Sequence, residues 1–242
     1  TALDPENQSV VGLLEMNRAK DLDSFKAAIH KNYAPMQNVV MADTDGNIAY
    51  QAAGVAPKRT LHQGLYGIAP APGWDPQYDW NGYLPFDQLP NSSNPEQGWI
   101  ATANQAVTAL NNPNPLTADW DVPTRYDRIV QLINAKSTFD LEYMKTMQGD
   151  TLSLGATPLL ELFKSSKTTH PLGAKTLDLI QKFEGNMSVD SPGALIFNAW
   201  ADHLTRNVFS RLSYLFFDDY GARNFRYPLI AILQNPNNPW CD

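Results

Sequence analysis

An α+β fold with a mainly helical second half is what this sequence predicts. Three patterns carry the prediction: two short helical stretches at the start, two β-prone runs joined by a glycine turn, and apolar stripes at helical spacing beyond residue 111. Pro5 and Glu6 open the first helix, in which Val10, Leu13, Leu14 and Asn17 recur at helical spacing. Asp21 or Asp23 caps a second helix carrying Phe25, Ala28 and Ile29, and Pro35 closes this region. Residues 38–43 and 47–51 then form a hairpin, because Gly46 supplies the positive φ that a tight turn with a bulge requires.

Residues 54–94 are rich in proline, glycine, asparagine and aromatics, among them Trp74, Trp80, Tyr83, Pro85 and Pro90. Such a stretch has few regular backbone hydrogen bonds of its own, so it is ordered only if its rings pack on a scaffold. It reads as a long functional loop, followed by a third strand at residues 98–103. Helices come next: residues 125–136 carry Ile129, Leu132 and Ile133; 176–183 carry Leu177, Ile180 and Phe183; 195–215 carry Ile196, Trp200, Leu204, Val208, Leu212 and Leu215. No repeat or heptad run is found. Residues 111–115 divide a first region, 1–110, from a helical lobe, 111–242.

Composition excludes several functions. The formal net charge of -7 works against phosphate binding, since nucleic-acid affinity depends on lysine and arginine displacing counterions. Cys241 is the single cysteine, so no intrachain disulfide, thiolate metal cluster or dithiol redox pair can form. No apolar run approaches the ~20 residues that span a bilayer; 214–217 and 229–233 are the longest candidates. Residues 1–8 show no basic or apolar leader, and Thr1 in place of methionine implies that an upstream segment has been removed.

Familiar catalytic motifs are missing. There is no G-x-S-x-G elbow, H-E-x-x-H or P-loop lysine, and His30, His62, His170 and His203 are scattered. His203 lies near an apolar stripe and reads as a packing or partly exposed histidine and not a catalytic base. The run from Asp43 to Asn47 resembles part of a calcium loop, but Gly54 stands where the closing glutamate belongs, so a hairpin turn accounts for it better. Asp119 with Asp121, and Asp218 with Asp219, sit beside turns and helix starts, where aspartate caps.

What discriminates is a series of short motifs in order: NVVMAD from Asn38, DGNIAY from Asp45, GVAPKR from Gly54, WNGYLPF from Trp80, NP from Asn94 and GWIATAN from Gly98. The series resembles the β-subunit of penicillin acylases, closest to the branch that includes acyl-homoserine-lactone acylases. QGD from Gln148, ALIFNAW from Ala194 and PW from Pro239 extend the resemblance into the helical lobe. It implies an internal piece of the α/β/β/α sandwich of N-terminal-nucleophile hydrolases, in which an N-terminal serine uses its own α-amino group as base. That serine would lie outside this segment; Thr1 as a nucleophile is the lesser alternative.

By the same resemblance, Asn38 matches the asparagine whose amide donates to the oxyanion, and Arg59 the arginine that holds the active-site network. Trp74, Trp80 and Asn104 are substrate-side candidates. The implied partners are the remaining segments of the precursor's α and β subunits and a small acyl amide, with neither nucleic acid nor membrane. No cofactor is implied for catalysis, although some similar proteins bind structural calcium, and the implied location is periplasmic or secreted. The rival readings are an acylase-like scaffold that has lost its nucleophile, and a carbohydrate- or peptide-binding module whose aromatic loop, residues 74–99, stacks on ligand.

Overall fold

Two helices and a hairpin open the chain, as their sequence patterns require. The computed structural model describes residues 3–59, 67, 69–109, 112–209, 222–235 and 237–241. Helix α1 spans Ser9–Met16 and α2 spans Leu22–Ile29. Asp21 is the cap of α2: its carboxylate accepts the Ser24 N–H at 2.7 Å, while Ser24 Oγ accepts the Asp21 N–H at 3.2 Å. Gly12 is buried where α1 meets α2, and a Cβ there would lie 2.7 Å from the Ala28 carbonyl oxygen.

Strands β1, Gln37–Ala42, and β2, Ile48–Ala53, pair antiparallel with Asn38 opposite Ala52 and Val40 opposite Tyr50. Their turn is organised by Asp43, whose Oδ1 accepts the Asp45 N–H at 3.0 Å and the Asn47 N–H at 2.8 Å, with Gly46 at φ 86°. The Asn47 side-chain amide and then these backbone donors hold the Asp43 carboxyl below its ordinary range.

The third strand is β3, Asn91–Ser93, with Tyr50 opposite Ser92, and not the predicted residues 98–103. Gly98 at φ 72° and Asn104 at φ 66° bend both ends of that apolar run out of extension. The polar β3 extends because β2 takes up its backbone groups, a tertiary pairing that β-propensity does not reveal.

Alternation along the hairpin sorts the sheet into two faces. Met41, Ala49 and Ala53 pack with Ile29, flanked by Leu22 and Phe25, so helices cover one side. Asn38, Val40, Tyr50 and Ala52 point the other way. The loop beyond β2 is tied back by Lys58 N–H to Gly82 O at 2.9 Å and Leu84 N–H to Ala56 O at 2.8 Å, and it buries Leu84 and Leu89 beside Ala52. Where β2 ends, Gly54 takes φ 148°, and a Cβ there would lie 2.8 Å from Met36 Cα.

The chain divides into two compact units, Thr1–Tyr126 and Asp127–Asp242, so the boundary expected after residue 110 falls inside the first. The second unit carries most of α3, Thr124–Asn134, then α4, Leu141–Gln148, α5, Thr157–Lys164, α6, Pro171–Gln181, α7, Pro192–Val208, and α8, Ala222–Leu233. Helix α6 starts earlier than its apolar stripe because Pro171 occupies the first turn and His170 Nδ1 accepts the Leu172 N–H at 3.2 Å. Phe197 is fully buried between Phe163 and Phe183, with centroids at 5.6 and 5.9 Å, and Trp200 stacks on Phe163 at 4.2 Å. Thr1, His62, Asn111, Leu212, Leu215, residues 214–217, Asp218 and Asp219 lie outside the described residues.

Candidate active site

Asn38 owes its position to sheet register. Because side chains alternate, Asn38 on β1 and Tyr50 on β2 share the face that the helices leave uncovered, one pleat apart on neighbouring strands. The Tyr50 hydroxyl donates to Asn38 Oδ1 at 2.6 Å. Burial pushes the Tyr50 phenol up to about 12, so it stays protonated, and a donor, at any physiological pH. With Oδ1 occupied, Asn38 Nδ2 is left with no partner among the described residues.

Asn38 lines a cavity of about 400 Å³ together with Arg59, Trp80, Val107, Leu116 and Trp120. Arg59 is half-buried, and its Nη1 is fully buried with no hydrogen-bond partner among the described residues. Its guanidinium passes close to Gly67, at φ 79°, where a Cβ would sit 3.1 Å from Nη2. An uncommitted amide donor and a cation with an uncommitted N–H thus border one space whose other walls are largely apolar. Low polarity strengthens both against developing negative charge, and donors already fixed in place need no reorganisation when that charge appears.

The structure brings Asn38, Arg59 and Trp80 together and leaves Trp74 and Asn104 apart. Trp74 is 87% exposed and borders no described cavity. Asn104 is engaged in the loop: its Oδ1 accepts from Arg125 Nη2 at 2.9 Å and its carbonyl accepts the Asp121 N–H at 3.1 Å. Trp80 is half exposed at the cavity rim.

Tyr50, Val107, Leu116 and Trp120 were not singled out by the sequence. Tyr50 could have been found from the hairpin register alone; the other three lie in irregular chain with no periodic signal. A second cavity, of about 390 Å³, is lined by Tyr50, Ser92, Trp99, Ile100 and Thr102 and shares Val107 with the first.

No histidine among the described residues borders the first cavity. His30 stacks on Phe86 at 4.4 Å, His170 caps α6 and His203 is exposed on α7. The hydroxyl of Thr117, which does line it, accepts the Asp119 N–H at 3.0 Å. Among the described residues, this cavity is therefore bordered by the polar donors Asn38 and Arg59, and by no histidine. No group of three or more His, Cys, Asp or Glu side chains converges among the described residues.

Comparison with known proteins gives this arrangement its context. The chain is 29% identical over 217 residues to the acyl-homoserine lactone acylase QuiP of Pseudomonas aeruginosa, covering 84% of this chain and 25% of that protein. It is 30% identical over 175 residues to the penicillin acylase 2 proenzyme of Pseudomonas sp., covering 72% and 22%. It thus spans about a quarter of the length of the curated relatives it matches. Among solved structures, a thermostable penicillin G acylase from Alcaligenes faecalis superposes with a TM-score of 0.63 at 22% identity, over 84% of this chain and 38% of that one. That likeness gives the fold, an α+β arrangement shared with a penicillin G acylase, as the sequence predicted. The sequence pattern of the penicillin amidase family matches residues 1–242, and the chain belongs to that family.

Proposed function

We propose that the complete protein is an acylase that hydrolyses the amide of an N-acyl-homoserine lactone or a penicillin-like β-lactam, and that this segment carries its oxyanion donor. The observation that carries the reading is the Asn38 carboxamide, held through Oδ1 by Tyr50 and facing an apolar cavity beside the half-buried Arg59. In the reaction, the hydroxyl oxygen of an N-terminal serine outside this segment attacks the amide carbon while its α-amino group takes the hydroxyl proton. The carbonyl oxygen becomes an oxyanion that accepts the Asn38 Nδ2–H, with Arg59 adding positive potential. Collapse expels the amine, which takes up the proton; water then attacks the acyl ester by the same route and releases the carboxylic acid. No step needs a cofactor.

The relatives, both acylases and one named a proenzyme, support the reaction class and a processed precursor, whose other segments are the partners in this reading. Export to the periplasm or beyond belongs to the same reading; no helix among the described residues is long and apolar enough to cross a membrane. Asn38→Ala in the full-length protein tests the proposal. Release of homoserine lactone from N-dodecanoyl-homoserine lactone, and of the free amine from a phenylacetyl amide, should fall about a hundredfold in kcat, the usual effect of deleting one oxyanion donor. Full activity in a folded, processed Asn38→Ala protein would remove Asn38 from the chemistry.

A further inference from the structure

Resting on that reading, we propose that Tyr50 is a positioning residue for the oxyanion donor, its hydroxyl locking the Asn38 carboxamide with Nδ2, and not Oδ1, toward the cavity. The terminal torsion of asparagine is broad and roughly two-fold, so an unrestrained carboxamide presents either end to its surroundings. The two ends are opposite in effect. Nδ2–H stabilises an oxyanion, whereas Oδ1 in the same place repels it.

Three features make Tyr50 the restraint. Its hydroxyl lies 2.6 Å from Oδ1, and no other acceptor for its proton is found among the described residues, so turning the amide over would leave that proton without a partner. Its backbone is held on both sides, opposite Val40 of β1 and Ser92 of β2's other neighbour, β3, which makes the donor part of the sheet and not of a loop. Its ring packs against the cluster of Ala52, Ala56, Leu84 and Leu89, so the hydroxyl cannot swing away without disturbing that cluster. A hydrogen bond into Oδ1 also draws electron density from the amide nitrogen, which makes Nδ2–H a stronger donor.

The test is a double-mutant cycle in the full-length protein, with Tyr50→Phe, Asn38→Ala and both together, assayed on N-dodecanoyl-homoserine lactone. Tyr50→Phe deletes one oxygen and keeps the ring. Melting temperature and far-ultraviolet circular dichroism establish that it folds, and mass spectrometry that it is processed. The expected result is a fall in kcat of about tenfold with KM within about twofold, and no further loss when Tyr50→Phe is added to Asn38→Ala. An unchanged kcat in Tyr50→Phe beside a crippled Asn38→Ala overturns the positioning role and leaves the acylase reading intact. The same fractional loss in both backgrounds also overturns it, since Tyr50 would then act through packing alone. Full activity in Asn38→Ala removes the oxyanion role of Asn38 and with it the positioning role of Tyr50, while the acylase activity itself stands.

Discussion

The two units of this chain use their interiors differently. In the helical unit the apolar stripes of several helices meet in one aromatic core, with Phe197 fully enclosed by its neighbours. In the sheet unit only one face of the hairpin is closed by helices, while the other keeps Asn38, Arg59 and Trp80 around an open cavity. Stability concentrates where apolar side chains close on one another, and the candidate chemistry where polar donors face an open space.

That contrast can be broken by substitutions on each side. The largest expected effect on folding is Phe197→Ala, which should cost the helical unit about 3–5 kcal/mol by opening a cavity in a filled core. Urea denaturation monitored by tryptophan fluorescence measures it, and a loss below about 1 kcal/mol would mean that the core collapses around the gap. Next comes Trp80→Ala at the rim of the open cavity. In the full-length protein it should raise KM for an acyl amide several-fold while leaving kcat close to wild type, as lost ground-state binding does. Trp74→Ala serves as its control: that ring is 87% exposed, so both constants should stay unchanged.

The smallest effect sharpens the comparison inside the helical unit. Arg128 holds Asp150 with two hydrogen bonds, of 2.9 and 2.7 Å, and this pairing keeps the Asp150 carboxyl below its ordinary range. An unfolded chain releases its carboxyl near the usual value of about 3.9, so the folded state binds fewer protons just below that pH. The stabilisation is therefore complete above about pH 4 and is lost as pH falls through the depressed folded value. Asp150→Asn should lower the melting temperature by a few degrees at neutral pH, and its difference from wild type should shrink in acid. A difference that stayed constant down to pH 2, roughly two units below the unfolded value, would exclude the ion pair as its source.

Much of this was legible in the residues. The capping aspartate, the glycine turn and the apolar stripes each act within a few positions, so α1, α2, the hairpin and the cores of α3, α6 and α7 could be placed locally. Strand β3 could not, because Asn91 to Ser93 are extended only by pairing with β2, whereas the β-prone Trp99 and Ile100 line a cavity instead. Helices α4, α5 and α8 were also missed: α4 is short and leans on its Asp140 cap, α5 spans only eight residues, and α8 contains Pro228. At the site, Asn38 and Arg59 came from the resemblance to penicillin acylases that the motif order carries. Tyr50 came only from the register, and Val107, Leu116 and Trp120 from tertiary folding of irregular chain, which carries no period to read.

The tight crossing at Gly54 sets a limit on how this site can be remodelled. Any side chain there meets both an unfavourable backbone conformation and the main chain of Met36, two residues before Asn38, so the strain would be passed straight into the strand that aims the carboxamide. On the acylase reading, a mutant library built to change acyl preference should hold position 54 constant and spread its diversity over Val107, Leu116 and Trp120, which line the same cavity.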